Sequence, residues 1–325
     1  EPGRRHIAYF GNFYATRGMG TVLDALEVLP VEDILTSSEL LEAAASELLV
    51  GTQAYDLLFN AHNVDHLTIG YNTDVAPGLD EAVQTVPEFG EIPVGDPDAG
   101  ERKYADLTKK AIGLRISKEQ RDFGTGADIQ RELVGRVAEI RRGNSADAMA
   151  ALEEAGIEEL PVAKKWNTAD AQAVDDLWAA DDLLAGAKDT RGNLFNYSAG
   201  YVWANRKTLN ALKRNKQTSS FYIGDMAHAN PLFAGISEQP LVAEQFKLVA
   251  DQALPDGVAY VFADSEYGTV GTRFQTGDPI FTPFYEEHGQ SGHGGSTMSW
   301  RSDYAHWRAL AVRAPKAAVK LTGAI

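Results

Sequence analysis

The sequence predicts an α+β fold, because helix-like and strand-like patterns occupy separate stretches of the chain. One stretch with the helical spacing of apolar residues runs from 126 to 155, which is far longer than an ordinary helix. Residues 163–271 mix helical and strand patterns, and residues 272–325 are almost wholly strand-like. The chain has 325 residues, 44% of them hydrophobic, which is enough for one elaborate domain or about two ordinary ones.

The chain is acidic, with 30 lysines and arginines against 46 aspartates and glutamates and a formal net charge of −16. A protein that grips nucleic acid needs basic surface, since phosphate neutralisation supplies most of the affinity. The composition therefore argues against a DNA-gripping protein. No cysteine is present, which excludes disulfides, thiolate metal sites and a cysteine nucleophile. No apolar run approaches the roughly 18–20 residues that cross a bilayer, so we expect no membrane association.

The beginning of the chain is predicted to lack a core of its own. Residues 1–66 have the pattern of an extended arm with one short helix, which begins at the capping box Thr36–Glu39. Residues 67–118 have the pattern of a long β-hairpin with a turn-rich tip at Gly95–Gly100. A hairpin of this length cannot bury both of its faces, so we expect it to lie on another surface.

The long helix is predicted to begin at Thr125, a residue type that favours the N-cap position. Its apolar face carries Ile129, Leu133, Val137 and Ile140, and charged residues occupy the opposite face. The spacing is interrupted at Gly143–Ser145, which argues against a sustained coiled-coil seam.

The α/β stretch contains two predicted helices, one capped by Thr168 and a basic one that is capped by Asn205 and ends at Arg214. The apolar runs Tyr201–Ala204 and Val258–Ala263 have the composition of buried strands. Further strands are predicted at 273–274, 280–285, 298–312 and 319–321. Within the last of the longer strands, Trp300, Tyr304 and Trp307 are interpreted as core or subunit-contact residues.

The order of the predicted parts is an extended arm, a long hairpin, a long helix, an α/β stretch and terminal strands. Together with this order, four short stretches of sequence resemble one known family. Val86–Val94 and Lys109–Ser117 are similar to the E-loop of major capsid proteins from actinobacterial phages, and Trp307–Pro315 and Ala317–Gly323 are similar to the end of the same proteins. The resemblance extends from about residue 36 to the C-terminus. The sequence thus resembles the Hong Kong 97-type major capsid proteins of tailed double-stranded-DNA phages.

The resemblance implies a division of the chain into the parts of that fold. These are an N-terminal arm with a short helix (1–66), an E-loop hairpin (67–118), a peripheral domain (119–162 and 272–316, with a spine helix at 126–155) and an axial α/β domain (163–271 and 317–325). It further implies a structural protein, not an enzyme, that self-assembles into the hexamers and pentamers of an icosahedral shell.

The implied partners are other copies of the chain, portal and scaffolding proteins, and a decoration protein as a further candidate. The shell would enclose packaged double-stranded DNA without sequence-specific binding, and the subunit would contact no membrane. The implied location is the virion capsid, assembled in the cytoplasm of a bacterial host. Some relatives crosslink their subunits through an E-loop lysine, for which Lys103, Lys109 and Lys110 are available, but no motif identifies the asparagine or glutamate that this reaction needs.

Several weak motifs invite a chemical function. Gly289–His293 nearly matches the G-x-S-x-G elbow around Ser291, and His288 and His293 lie near Glu286 and Glu287 as conceivable metal ligands, although a loop between strands is the preferred interpretation. Asp96–Gly100 lacks the closing glutamate of a calcium loop, and Gly18–Gly20 lacks the third glycine of a dinucleotide-binding turn. The sequence therefore nominates no catalytic, cofactor-binding or metal-binding residue.

Two alternative functions remain open from the sequence. The same fold serves encapsulin-like compartments that hold cargo proteins instead of a genome. An α/β enzyme that uses residues 163–271 is the alternative from another class, and a deep polar pocket in a stable monomer would support it.

Overall fold

The structure is a computed structural model, and it describes residues 53–97, 99–168, 170–218, 241–242, 245–264, 270–288 and 296–325. The predicted helix at Thr36–Glu39 and the glycines at Gly18–Gly20 lie outside these residues. Contacts divide the described chain into two units. Unit 1 comprises residues 108–143, 276–288 and 296–308, and unit 2 comprises the rest.

Helices and strands are both abundant, which confirms the α+β class. The helices of the described residues are α1 (Ala54–Leu58), α2 (Lys118–Phe123), α3 (Gly126–Glu154), α4 (Ala173–Ala185) and α5 (Arg206–Arg214), with a 3-10 turn at Pro315–Ala317. The strands are β1 (Phe59–Asn63), β2 (Thr68–Asn72), β3 (Arg102–Asp106), β4 (Thr108–Ser117), β5 (Glu158–Pro161), β6 (Ala199–Ala204), β7 (Leu241–Val242), β8 (Phe246–Ala250), β9 (Val258–Ala263), β10 (Gly271–Gln275), β11 (Ile280–Phe281), β12 (Tyr285–His288), β13 (Ser296–Val312) and β14 (Ala318–Thr322).

Unit 1 is organised around β13. This strand pairs with β4 in antiparallel register, with Ser299 opposite Ser117 and Arg308 opposite Thr108. The short strands β11 and β12 also pair with β13. Side chains from 301 to 308 alternate between half-buried and buried positions, as in a strand that packs one face against a core.

The core of unit 1 is small. Val137 and Ile140 of α3 pack with Phe281 and Tyr304 of the sheet, and Ile112 of β4 is partly buried against them. The rings of Phe281 and Tyr304 lie 5.2 Å apart between centroids. The apolar stripe that predicted the long helix is thus the face that α3 buries against the strands.

The two helices of unit 1 begin with different bonds. Ser117 caps α2 in a full capping box, because its hydroxyl accepts from the Gln120 N–H and the Gln120 side chain accepts from the Ser117 N–H. At the start of α3, the hydroxyl and the N–H of Thr125 both donate to the carboxylate of Asp128. These bonds hold the pKa of Asp128 below its ordinary value.

Unit 2 contains a six-stranded sheet in the order β5-β14-β9-β6-β8-β7. Helix α4 packs against β14, β9 and β6, and α5 contacts β8. Every residue of β6 is buried, as expected for a central strand that is covered on both faces. The largest fully buried side chains of this core are Trp166, Trp203, Tyr55, Tyr260, Phe59, Phe246 and Phe262.

The sequence predicted the cap of α5 correctly and the cap of α4 wrongly. Asn205 accepts from the N–H of Thr208 at 2.7 Å, which confirms it as the N-cap of α5. Thr168 instead closes a separate turn, in which its hydroxyl donates to the carbonyl of Lys165. Helix α4 begins five residues later, and the N–H of Val174 donates to the side chain of Gln217, which is distant in sequence.

The hairpin stretch differs from a single long hairpin. Strand β2 pairs with β3 from Thr68–Asp106 to Asn72–Arg102. Beyond this ladder, the described residues between 74 and 100 form only an isolated bridge between Leu79 and Pro97. The later part of the predicted returning strand is β4, which pairs with β13 instead of with the outgoing strand.

Residues 53–66 were expected to belong to an extended arm, but they contribute to the core of unit 2. Strand β1 pairs in parallel with β10, and Tyr55, Leu58 and Phe59 are fully buried. In the part of the chain that the structure describes, no helix combines the length and the apolarity required to cross a membrane.

Candidate interaction surfaces

Five large apolar side chains project into solvent from the segment between β2 and β3. Their exposed fractions are 105% for Val83, 100% for Phe89, 84% for Val94, 75% for Ile92 and 55% for Leu79. We call these five residues the apolar strip. Folding of the chain does not cover them, and a group of exposed apolar side chains on one segment marks an interaction surface.

The segment that carries the apolar strip is held at its base by backbone bonds. The N–H of Thr73 donates to the carbonyl of Glu101 at 2.9 Å, and the N–H of Glu101 donates to the hydroxyl of Thr73 at 2.9 Å. Farther out, the Asp80 carboxylate accepts from the N–H of Asp96 at 2.6 Å. These bonds tie the two sides of the segment together while its apolar side chains stay uncovered.

Phe89 presents its ring from an unfavourable backbone conformation. Its φ is 64°, in the left-handed region that bulky residues rarely adopt. The turn around it is closed by a hydrogen bond from the N–H of Gly90 to the carbonyl of Pro87 at 2.8 Å. A fully exposed phenylalanine in a strained turn gains nothing from the fold of its own chain, which favours a role in contact with another molecule.

A charged network covers one face of the unit 1 sheet. Arg115 makes two contacts to Glu287, of 2.6 and 2.5 Å, which is the bidentate geometry of a strong ion pair. The hydrogen bond from Arg115 holds the pKa of Glu287 below its ordinary value. Beside this pair, Tyr285 and Arg301 both donate to Asp303, at 2.5 and 2.6 Å.

The aromatic residues of β13 have different environments. Tyr304 is buried in the unit 1 core, whereas Trp300 and Trp307 are half-buried. The guanidinium of Arg121 lies 4.6 Å from the Trp300 ring centroid, and the ammonium of Lys109 lies 5.2 Å from that of Trp307. Tyr304 is therefore a core residue, and the two tryptophans form cation–π contacts at the surface.

The residues that were candidates for metal binding or catalysis do not form such a site among the described residues. Glu287 is engaged by Arg115 and by Ser299, and the loop Gly289–Gly295 lies outside the described residues. No group of three or more histidine, aspartate or glutamate side chains that could hold a metal occurs in the described ranges. Of the lysines considered for crosslinking, Lys103 lies 3.9 Å from Glu101 and Lys109 lies against Trp307.

Sequence reasoning identified the hairpin as a segment that needs another surface, but it did not single out the apolar strip. The available signal was the set of large apolar residues in a stretch rich in proline and glycine, where neither helical nor strand spacing can bury them together. The structure supplies the missing information, namely that these side chains point away from their own core.

Comparison with known proteins shows the fold. No protein-family model matches the chain, and no curated protein resembles it in sequence. A structure from Microbacterium phage Oxtober96 matches with a TM-score of 0.53 and 12% identity, over 86% of this chain and 97% of that one. The capsid of Cyanophage P-SCSP1u matches with a TM-score of 0.51 and 11% identity, over 85% and 93%.

A virus-like particle from Pyrococcus furiosus matches equally well, with a TM-score of 0.52 and 12% identity over 89% of this chain and 98% of that one. In each comparison the alignment spans nearly all of the matched chain. The described chain therefore has a phage-capsid-like fold, as the resemblance of its sequence predicted.

Proposed function

We propose that this chain is a structural shell subunit, which assembles with copies of itself into the hexamers and pentamers of an icosahedral capsid around double-stranded DNA. The observation that carries the proposal is the match to a phage capsid and to a virus-like particle over 93% and 98% of those chains. A chain whose fold matches nearly the full length of the chains in such assemblies has the parts needed to build one.

The apolar strip is the surface through which we expect neighbouring subunits to be joined. Burying a large apolar side chain contributes about 2 kcal/mol, so Phe89 and Ile92 together supply several kcal/mol per contact. Each contact is made many times in a closed shell, and contacts that are weak singly become strong when the lattice makes them together. A neighbouring subunit then buries the apolar side chains that the fold of a single subunit leaves exposed.

The same proposal assigns the parts of the chain. Residues 67–118 serve as the E-loop, residues 126–155 as the spine helix, and residues 163–271 and 317–325 as the axial domain. The role is mechanical and involves no catalysis. Portal and scaffolding proteins, and a decoration protein, are the further partners of such a subunit in a virion that is assembled in the bacterial cytoplasm.

The alternative function is a protein compartment with an enzyme cargo instead of DNA. The match to the virus-like particle favours it as a second candidate, since its TM-score is as high as that of the phage capsid. The two functions share the shell and differ in its contents. Nuclease-protected DNA in purified particles selects the capsid, and a stoichiometric protein cargo selects the compartment.

The first experiment is electron microscopy of the purified full chain, combined with size-exclusion chromatography. We expect uniform icosahedral particles, either directly or after scaffolding protein or a crowding agent is added. A species that stays near the chain mass of 35.2 kDa under all of these conditions contradicts the proposal.

The second experiment removes the apolar strip. We expect the double substitution Phe89→Gly and Ile92→Ser to abolish particles while the subunit keeps its thermal unfolding midpoint, because both side chains are exposed in the subunit. Glycine also tolerates the positive φ at position 89, so a damaged turn would not explain the loss. The matched control is Gln84→Ala with Thr85→Ala, two exposed polar residues of the same segment. Normal particles from the strip variant would show that the strip does not join subunits.

A further inference from the structure

A groove of about 770 Å³ lies beside α5 in unit 2. Its wall carries four cationic side chains from one short stretch of sequence, Arg206, Lys207, Arg214 and Lys216. No aspartate or glutamate side chain lines it among the described residues, although acidic residues outnumber basic ones by 46 to 30 in the whole chain. The carboxylate of Ile325, which also lines the groove, offsets one of these charges, so the groove still carries a positive excess in an acidic protein.

Most of these cations have no counter-ion among the described residues. Lys207 pairs with the carboxylate of Asp256. Over the residues that the structure describes, Arg206, Arg214 and Lys216 make no ion pair, and all three are exposed. Three like charges around one groove repel one another, so an anion that enters it gains their combined attraction.

The cations stand on a rigid support. The cap that Asn205 forms anchors the start of α5, and Leu209 and Leu212 bury its opposite face. At the other end, the side chain of Asn215 donates to the carbonyl of Trp166 at 3.2 Å and is buried. The amide side chains of Asn167 and Asn210 complete the polar lining of the groove.

We propose that this groove binds the phosphodiester backbone of the enclosed double-stranded DNA. The inference rests on the proposed function and deepens it, because it identifies which surface of unit 2 faces the DNA. Arg206 and Arg214 are eight residues apart on one helix, so their Cα atoms are separated by about 12 Å. Two cations this far apart on one rigid helix can contact separate phosphates of the same duplex.

The density of charge favours DNA over an acidic protein segment as the occupant. Double-stranded DNA carries one negative charge for about every 1.7 Å of its axis without interruption, whereas an ordinary acidic protein segment, in which only some residues are acidic, carries fewer charges over the same length. One groove neutralises about three phosphates, so a single subunit binds weakly. A shell repeats the groove in every subunit, and the summed contacts then hold the outer layer of DNA without any reading of sequence.

The test measures binding of the full-length, unassembled chain to a fluorescent duplex of about 20 base pairs across a range of salt concentrations. With about three phosphates contacted, we expect a slope of about −2.7 for log affinity against log salt, or a loss of about 40-fold between 50 and 200 mM salt. The variant Arg206→Gln with Arg214→Gln is expected to lose affinity by about 10-fold or more and to bring the slope to about −1.

The matched control is Arg131→Gln with Arg142→Gln, which makes the same change in net charge at two exposed positions of α3. We expect the control to keep the wild-type affinity and slope. Equal losses in the two variants would overturn the proposal, since net charge alone would then explain the binding. No detectable binding by the wild-type chain at low salt would overturn it as well.

An acidic peptide in which about one residue in three is glutamate distinguishes the occupant. We expect it to displace the duplex poorly at equal charge concentration because its charges are more widely spaced, and tighter binding of this peptide than of the duplex would identify an acidic protein segment as the ligand and overturn the proposal. The groove variant is expected to form normal particles in the microscope. A wild-type chain that forms particles but does not bind the duplex would reject the groove as a DNA site and leave the shell function intact.

Discussion

The buried guanidinium of Arg136 is bound to Ser302 on the strand opposite it: its Nη1 donates to the carbonyl of Ser302 at 3.3 Å and to the hydroxyl at 3.1 Å. Arg136 is 3% exposed, and among the described residues its Nε and Nη2 atoms have no hydrogen-bond partner. Its guanidinium also lies 5.5 Å from the Phe281 ring centroid. Burial lowers the pKa of Arg136 to about 10. A buried cation with unmet donors and no carboxylate bond costs stability.

Arg136 is therefore expected to tolerate an apolar replacement of similar size. The substitution Arg136→Met removes the buried charge and keeps the packing, so we expect the free energy of unfolding to stay unchanged or to rise by about 1 kcal/mol. Ser302→Ala removes the hydroxyl that accepts a hydrogen bond from Arg136, and we expect it to lower the free energy of unfolding by about 1–3 kcal/mol. Urea unfolding of the unassembled subunit measures both. A loss on Arg136→Met as large as that on Ser302→Ala would show that the cation stabilises the fold.

Asp303 predicts a pH dependence. Partial burial raises its pKa, but the hydrogen bonds donated by Tyr285 and Arg301 lower it more, so the net pKa lies below the ordinary 3.8. The ionised carboxylate thus contributes stability above pH 3.8, and this contribution disappears as the pH falls through the lowered folded-state pKa. We expect Tyr285→Phe to reduce stability by about 1 kcal/mol or less at pH 7, with the difference narrowing below pH 3.8. A difference that stays constant between pH 7 and 3 would contradict this account.

Lys320 links three elements of unit 2. Its ammonium donates to Glu153 at 3.1 Å and to Glu159 at 2.8 Å, and the bond to Glu159 is the main cause of its raised pKa. We expect Lys320→Met to destabilise the subunit by about 1 kcal/mol, since both carboxylates are more than half exposed and solvent screens them. In a double-mutant cycle with Glu159→Gln, the combined loss is expected to be smaller than the sum of the single losses. Strict additivity would show that the pair contributes nothing.

Glycines in different surroundings are expected to respond oppositely to alanine. A Cβ added at Gly135 or Gly143 of α3 meets nothing within 4 Å, so each substitution is expected to stabilise the unassembled subunit by about 0.5–1 kcal/mol. At Gly271, a Cβ would overlap the carbonyl oxygen of Ala311 and lie 2.8 Å from the ring of Phe59. We expect Gly271→Ala to cost about 2 kcal/mol or more. Thermal unfolding ranks the three variants, and a neutral Gly271→Ala would refute the close packing of β1.

Elements whose signals are local were predicted well from the sequence. The long helix was expected at 126–155 and spans Gly126–Glu154, and Asn205 caps α5 where its side chain reaches the next turn. The buried strand Val258–Ala263 has the predicted bounds. In each case the information lies within a few residues, where periodicity and capping act.

Elements that depend on distant residues were not predictable. At the start of α4, the N–H of Val174 donates to Gln217, which lies far along the chain. The local chemistry of Thr168 therefore predicts the wrong N-cap. Strand β4 takes its partner from β13 near the other end of the sequence. The cationic groove carried a local signal, the basic residues between 206 and 216, but only the fold shows that they line one cavity without acidic neighbours.

Because the apolar strip is uncovered, the rate at which the protein is produced is expected to affect how much of it aggregates. Under the proposed function, a newly made chain that has not yet met a neighbour exposes Phe89, Ile92 and Val94 to other apolar surfaces, so ordered assembly competes with aggregation. The rate of aggregation rises faster than linearly with the concentration of unassembled chains, because aggregation needs two or more of them to meet. A slow and steady supply, or a helper that shields the strip until a growing edge accepts it, then yields more finished particles than rapid bulk synthesis.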